Sequence, residues 1–132
     1  MYKRQEVGTD AAVAQPATGT KFGVVVRHND HSLSADRTKK NGGKGKGFTA
    51  EGLIMSALAT AATQAVKDAG KRLALDDVHV SITQTGPAGF ERRIELAGNL
   101  SAEEEAALRS AAKDTDVERM LGNVTIVDVD AH

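Results

Sequence analysis

The side chains that could perform chemistry form no complete catalytic set. Glu51 lies in the first turn of a predicted helix, where it is either a pocket base or an acid stabilised by the helix dipole. His28 and His31 flank Asp30 with a spacing typical of metal ligands, but zinc usually takes three or four protein ligands and no third one is evident. The sequence therefore predicts no metal site and no cofactor, and no ordered Ser, His and Asp set indicates a catalytic triad.

A basic, glycine-rich loop precedes that helix. Residues 37–48 read RTKKNGGKGKGF, and Lys44 and Lys46 stand close to the helix start. Such a loop could bind an anion through its backbone N–H groups. It lacks the Gly-Lys-Ser/Thr of a P-loop. A mobile, solvated loop is the interpretation that these residues favour.

The composition excludes several classes of function. None of the 132 residues is cysteine, which excludes disulfides, thiolate metal sites and thiol catalysis. A formal net charge of -1 gives no field that attracts nucleic acid or an anionic membrane, so neither is expected as a partner. No apolar run approaches the roughly 20 residues of a membrane span, and no signal peptide is evident, so a cytoplasmic location is expected.

A long apolar helix must position these residues. Thr49 is a good N-cap, and Gly70 is predicted to end the helix as a C-cap. No residue from Leu53 to Ala62 is charged, which predicts a helix that is buried on all sides. Its alanines allow close approach of another backbone, so we expect this helix to be shared with a second subunit.

The remaining patterns predict strands and helices in separate blocks, which favours an α+β fold in a single domain over residues 1–132. A short strand near residues 2–7 and a loop up to residue 20 are expected first. Further predicted elements are a hairpin over 22–28 and 31–36, a hairpin over 78–83 and 90–96, two helices opened by capping boxes at Ser101 and Thr115, and a strand over 124–129.

Six ordered motifs together resemble the OsmC/Ohr family of osmotically inducible and organic hydroperoxide resistance proteins. The resemblance runs from Phe22 to Val129, through most of the chain. The motifs are Ala50-Glu51 at the helix start, Leu58-Ala59-Thr60-Ala61 within the helix, Leu73–Val78, Gly89-Phe90, Leu100–Glu104 and Thr115–Leu121.

The resemblance implies an intertwined homodimer with two central helices enclosed by sheets. It also implies thiol-dependent peroxide reduction by a cysteine pair, assisted by a glutamate and an arginine. Ala61 and Thr115 occupy the two cysteine positions, Glu51 matches the glutamate, and Arg37 is the nearest candidate for the arginine. Because neither a methyl group nor a threonine hydroxyl can perform thiol chemistry, thiol peroxidase activity is not expected.

Three hypotheses about function follow. The first is a homodimer that binds a small apolar or amphipathic molecule in a pocket formed by Glu51, Thr60, Ala61, Thr115 and Asp116. The second is an enzyme without thiol chemistry that uses Glu51 as base and Arg37 or a histidine to stabilise charge. The third is a structural or partner-binding dimer.

Two of the residues have competing structural interpretations. The capping box gives Thr115 a structural role, which is the interpretation that we favour over a place in a pocket. Arg92 falls on the apolar side of its strand, where it either pairs with a buried acid or sits at an edge.

Overall fold

The structure, a computed structural model, describes residues 10–129, so the strand predicted near residues 2–7 lies outside the described residues. The chain divides into two compact units, Met1–Leu53 and Ile54–His132. Each unit has its own three-stranded sheet. A single domain over residues 1–132 stays a prediction.

The first unit contains an antiparallel sheet of β1 (Ala12–Pro16), β2 (Val24–His28) and β3 (His31–Ala35), in that order. The predicted hairpin of β2 and β3 is confirmed, and Asn29 in its turn has a φ of 54°. The prediction of a loop up to residue 20 was wrong, because β1 pairs with β2. The short β1 is poor in β-branched residues and gains its order from that edge pairing rather than from its own propensity.

The helix α1 (Ala50–Ala69) begins at the end of the first unit and continues into the second. Its predicted N-cap is confirmed, because the Thr49 hydroxyl accepts a hydrogen bond from the Gly52 N–H at 2.9 Å. The helix ends before Gly70 as predicted, but Gly70 does not adopt the left-handed conformation of a C-cap. A Cβ at Gly70 would approach Leu75 Cδ2 to 2.8 Å, so close packing is what requires glycine there.

The second unit adds a sheet of β4 (Leu75–Gly86), β5 (Gly89–Gly98) and β6 (Thr125–Val129), in that order. The predicted hairpin of β4 and β5 is confirmed and is longer than expected. The helices α2 (Ala102–Lys113) and α3 (Asp116–Leu121) connect β5 to β6, which therefore run parallel. The capping box at Ser101 is present with both of its hydrogen bonds. This mixed arrangement confirms the α+β class.

The core of the second unit lies between α1, β5 and α2, where Ala62 and Val66 pack with Ile94, Leu108 and Ala112. The prediction that α1 is buried on all sides was wrong for a single chain. Only the stripe of Leu58, Ala62 and Val66 is buried, while Ile54 is 41% exposed. Ile54 lies four residues before Leu58, so the uncovered apolar residues lie directly beside the buried stripe. No helix in the described part of the chain is long and apolar enough to cross a membrane.

Candidate functional site

A cleft of about 590 Å³ lies in the first unit beside the start of α1. Phe22, Arg37 and Glu51 all contribute to its lining, so two of the side chains singled out by the sequence share one cavity. The other lining residues are Val24, Ala35, Asp36, Thr38, Asn41, Thr49 and Ala50. The cleft therefore combines apolar walls with the cation of Arg37 and the carboxylate of Glu51, a combination typical of small-molecule sites.

Arg37 is held against an aromatic ring. Its guanidinium carbon lies 3.9 Å from the centroid of the Phe22 ring, a cation–π distance. Lys21 Nζ approaches the same ring at 5.3 Å. Arg37 and Glu51 are both solvent-exposed, and so both are accessible to a ligand in the cleft. Phe22 is the residue that the sequence analysis left without a role here.

The basic loop is built around the buried carboxylate of Asp36, directly after β3. One carboxylate oxygen accepts the N–H of Arg37 at 2.7 Å. The other accepts the N–H groups of Lys44 at 3.0 Å and Lys46 at 3.4 Å. Sequence analysis missed Asp36, although an aspartate between a strand and a glycine-rich stretch is a known turn signal.

All six backbone N–H groups from residue 41 to residue 46 bond within the loop region. Those not bound to Asp36 are donated by Asn41 and Gly43 to Thr38, by Gly42 to Lys39, and by Gly45 to Arg37. An internal carboxylate thus takes the place of the external anion considered from the sequence. The loop is held by internal hydrogen bonds rather than simply solvated, and β3, predicted as a strand over 31–36, leads into it. Without Gly-Lys-Ser/Thr it is still not a P-loop.

The Asp36 carboxylate makes the loop sensitive to acid. Burial alone would raise the pKa of Asp36, but the N–H groups of Lys44, Arg37 and Lys46 and the charge of Lys44 outweigh burial and hold the pKa below its ordinary value. A carboxyl group whose pKa is lower in the folded than in the unfolded state stabilises the fold above the unfolded pKa. That contribution is lost as the pH falls through the folded pKa.

We therefore expect Asp36→Asn to lower stability near neutral pH and to flatten the loss of stability in acid. Urea unfolding at several pH values between about 2 and 7 measures both effects. Asp30→Asn, at an exposed turn position of the same unit, is the matched control and should keep the wild-type pH profile. An Asp36→Asn profile parallel to that of the wild type would contradict this role.

A second polar cluster lies in the second unit and centres on Arg92, whose side chain is 2% exposed. Its guanidinium binds Asp128 with two hydrogen bonds, of 2.7 and 3.0 Å, and Glu118 with one of 2.5 Å. Burial would lower the pKa of Arg92, but these two carboxylates raise it more. Of the two interpretations drawn from the sequence, the pairing with acids is therefore correct.

The surfaces of the second unit also contain a cavity of about 430 Å³ where α1 ends and β4 begins. Lys67, Leu73 and Asp76 are among its lining residues. A smaller one of about 170 Å³ adjoins Arg92, Arg109 and Lys113. The Arg109 side chain is held at this cavity by a hydrogen bond, because its Nη1 donates to the Ile94 carbonyl oxygen at 2.7 Å.

No protein-family model matches the chain, and no curated protein matches it. Solved structures do match. A protein of Psychrobacter arcticus 273-4, named for osmotic stress induction and the detoxification response, aligns with a TM-score of 0.80 and 13% identity, covering 98% of this chain and all of the other. An OsmC-like protein of Mycoplasma pneumoniae aligns with a TM-score of 0.69 and 13% identity, covering 95% of this chain and 99% of the other. This chain has the OsmC-like fold.

A third structure brings in the organic hydroperoxide resistance proteins. A Vibrio cholerae O1 protein grouped with them, with captopril bound in one of its active sites, aligns with a TM-score of 0.61 and 18% identity. The alignment covers 96% of this chain and 95% of the other. The resemblance noted in the sequence is therefore confirmed at the level of the fold.

The two positions at which the resemblance places the family cysteines, Ala61 and Thr115, lie in the second unit. Ala61 is half-buried on α1, and Thr60 beside it is exposed. Thr115 is buried, and its hydroxyl accepts the Glu118 N–H at 3.2 Å as the N-cap of α3. Asp116 is exposed and binds Arg119 at 2.5 Å. None of these four residues lines the cleft of the first unit, and their place in a ligand pocket stays a prediction.

The capping box predicted at Thr115 is only half formed. Thr115 caps the Glu118 N–H, but the Glu118 side chain binds Arg92 instead of the Thr115 N–H. The bond to the buried guanidinium joins two ionised groups, whereas a bond to the Thr115 N–H would have an ionised acceptor and a neutral donor. The sequence pattern could not reveal this partner, because Arg92 is 26 residues away.

The histidine pair lies at the tip of the first sheet. His28 ends β2 and His31 begins β3, and the two are direct partners in the strand register. His28 Nδ1 lies 3.4 Å from the Ala11 carbonyl oxygen. Among residues 10–129, no three His, Cys, Asp or Glu side chains are grouped closely enough to hold a metal ion.

Proposed function

We propose that this protein binds a small amphipathic molecule in the cleft of the first unit and that it acts as a homodimer without thiol chemistry. The observation that carries the proposal is that Phe22, Arg37 and Glu51 line one cleft. A cavity of about 590 Å³ falls within the size range of small-molecule sites, which are about 300–1,000 Å³.

The chemistry of the cleft favours a ligand with two different ends. Phe22, Val24 and Ala35 offer apolar surface to a hydrocarbon group. Arg37 and Glu51 offer charge to a polar head group. A captopril molecule bound in one active site of the Vibrio cholerae neighbour supports the idea that this fold accommodates small organic ligands.

The open face of α1 supports the homodimer. Ile54, Ala57 and Ala61 follow each other at the helical spacings of three and four residues and are exposed or half-exposed in one chain. The resemblance to the OsmC/Ohr family makes a second copy of this chain the occupant that we propose for this face. An apolar stripe without charges is typical of an interface that stays closed.

Native mass spectrometry tests both parts of the proposal. We expect a dimer of 13.8 kDa chains that carries added mass, released on denaturation. Ile54→Glu should convert it to a monomer, because it places a charge in the proposed interface. A monomeric wild-type protein would contradict the homodimer.

The ligand site is tested by weakening its aromatic wall. Phe22→Ala removes the ring under Arg37, and octanol, as a simple amphipathic probe, should bind about tenfold more weakly. Val127→Ala, at a 52% exposed position of the second unit, is the control and should leave binding unchanged. Equal effects of the two substitutions would contradict the site.

The alternative function for the same cleft is that of an enzyme, because Glu51 could act as general base beside the charge of Arg37. Glu51→Gln distinguishes the two. A binding protein keeps its affinity for a neutral ligand, whereas an enzyme loses turnover with its structure intact.

A further inference from the structure

We infer that the ligand of this cleft carries an anionic head group, and that the basic loop after β3 selects it. This inference rests on the proposed function, since it names the class of molecule that the same cleft takes. The loop contains five cationic residues, which we call the loop cations: Arg37, Lys39, Lys40, Lys44 and Lys46.

Charge is distributed unevenly along the chain, although its formal net charge is only -1. Residues 10–53 contain seven Lys and Arg against four Asp and Glu, whereas residues 54–129 contain eight against twelve. A net charge averaged over both units therefore hides a positive first unit. The expectation that no global field attracts nucleic acid or an anionic membrane does not extend to a single cleft, because local field strength depends on the local charges.

The loop cations are available to a ligand. All five side chains are exposed, and none of them forms an ion pair within residues 10–129. Lys44 Nζ makes only one weak contact, at 3.4 Å from the Gly19 carbonyl oxygen. The one acid inside the loop, Asp36, is buried and already accepts three N–H groups. The Asp36 carboxylate interacts with the charge of Lys44, so an incoming anion competes with Asp36 for that cation.

The folded loop also determines how an anion is recognised. The N–H groups of residues 41–46 are all donated internally, so they cannot cradle a ligand as a P-loop does. Recognition must come from the side-chain cations, of which Arg37 lies both in the loop and in the cleft lining. Interactions between exposed charges are screened by salt, with a Debye length of about 10 Å at 0.1 M and about 3 Å at 1 M.

Glu51 sets a limit on where the anion lies. Among the lining residues that the structure describes, it is the only acid besides Asp36, and it stands at the start of α1. An anionic head group is therefore expected on the Arg37 side, with its hydrocarbon chain along Phe22 and Val24. The excess of positive charge in the first unit disfavours a cationic head group.

Four probes of eight carbon atoms each, with different head groups, test the inference: octanol, octanoate, octyl phosphate and octylamine. Isothermal titration at low salt should give affinities for both anions about tenfold above that for octanol, since two or three exposed ion pairs each contribute a few-fold. Octylamine should bind most weakly. The advantage of the anions should shrink to about twofold near 1 M NaCl.

A charge variant and a matched control locate the effect. The variant replaces Lys39, Lys40, Lys44 and Lys46 with Gln and should reduce the advantage of the anions to about twofold without changing octanol affinity. The control replaces the exposed Lys67, Lys71, Arg72 and Arg93 of the second unit with Gln, which changes the net charge equally. The control should still bind both anions about tenfold more tightly than octanol. Circular dichroism confirms that both variants are folded.

The possible outcomes separate this inference from the proposed function. If octanol binds and neither anion binds more tightly, the inference is wrong and the proposed function stands. If the anions bind more tightly but the control loses the effect as much as the variant does, the selection is not made by the loop and the inference is again wrong. If none of the four probes binds, the proposed function fails as well.

Discussion

Replacing Arg92 with Met is expected to lower the free energy of unfolding by about 3 kcal/mol, because it leaves two carboxylates without the guanidinium that they surround. Asp128 and Glu118 have side chains that are only 28% exposed, so water cannot fully replace the lost partner. Urea unfolding monitored by circular dichroism measures the difference. The loss should be accompanied by weaker ordering of α3, which Glu118 ties to β5.

Arg93→Met is the matched control for this prediction. Arg93 is the next residue of β5 but points to the exposed face, so its replacement should cost within about 0.5 kcal/mol. A triple variant, Arg92→Met with Glu118→Gln and Asp128→Asn, should recover part of the loss, since no charge is then left unpaired. If Arg92→Met and Arg93→Met cost the same, the cluster does not stabilise the fold as described.

Gly43→Ala is expected to disrupt the basic loop and with it the cleft. A Cβ at Gly43 would lie 2.1 Å from the Arg37 carbonyl oxygen and 2.7 Å from Asp36 Oδ1. The closer atom belongs to the backbone, which cannot move aside as easily as the end of a flexible side chain. Overpacking of this kind costs about 2 kcal/mol, measured by urea unfolding. Because Arg37 must move, octanol and octanoate should both bind at least tenfold more weakly.

The control for Gly43 is Gly86→Ala in β4. A Cβ there meets nothing within 4 Å, and the backbone is compatible with alanine. Stability and binding should both stay near the wild-type values. Undiminished octanoate binding by Gly43→Ala would show that the loop does not shape the ligand site.

The helix starts could be predicted from the sequence, because a capping residue lies close in the chain to the N–H group that it caps. Thr49, Ser101 and Thr115 lie within three residues of the N–H groups they cap, and each is confirmed as a cap. The pairing of β1 with β2 could not be predicted, because Ala12–Pro16 has little strand propensity of its own. The exposure of Ile54 could not be predicted either, because composition does not tell which side of α1 the rest of the chain covers.

The site could be predicted only in part, for a similar reason. Arg37 and Glu51 were recognised from the resemblance, and they do share a cleft. The roles of Phe22, Asp36 and Arg92 depend on the three-dimensional folding of the loop and of the second sheet. Asp36 accepts the N–H groups of three later residues, up to Lys46, and a charge count along the chain does not reveal that a carboxylate is buried.

Mapping of amide chemical shifts during titration with octanol tests the central claim most directly, because it places the ligand on the chain. We expect the largest shifts on Phe22, Arg37 and Glu51 around the cleft of the first unit. Largest shifts at Thr63, Lys67 and Leu73, around the 430 Å³ cavity of the second unit, would contradict it. So would an octanol titration that shifts no amide.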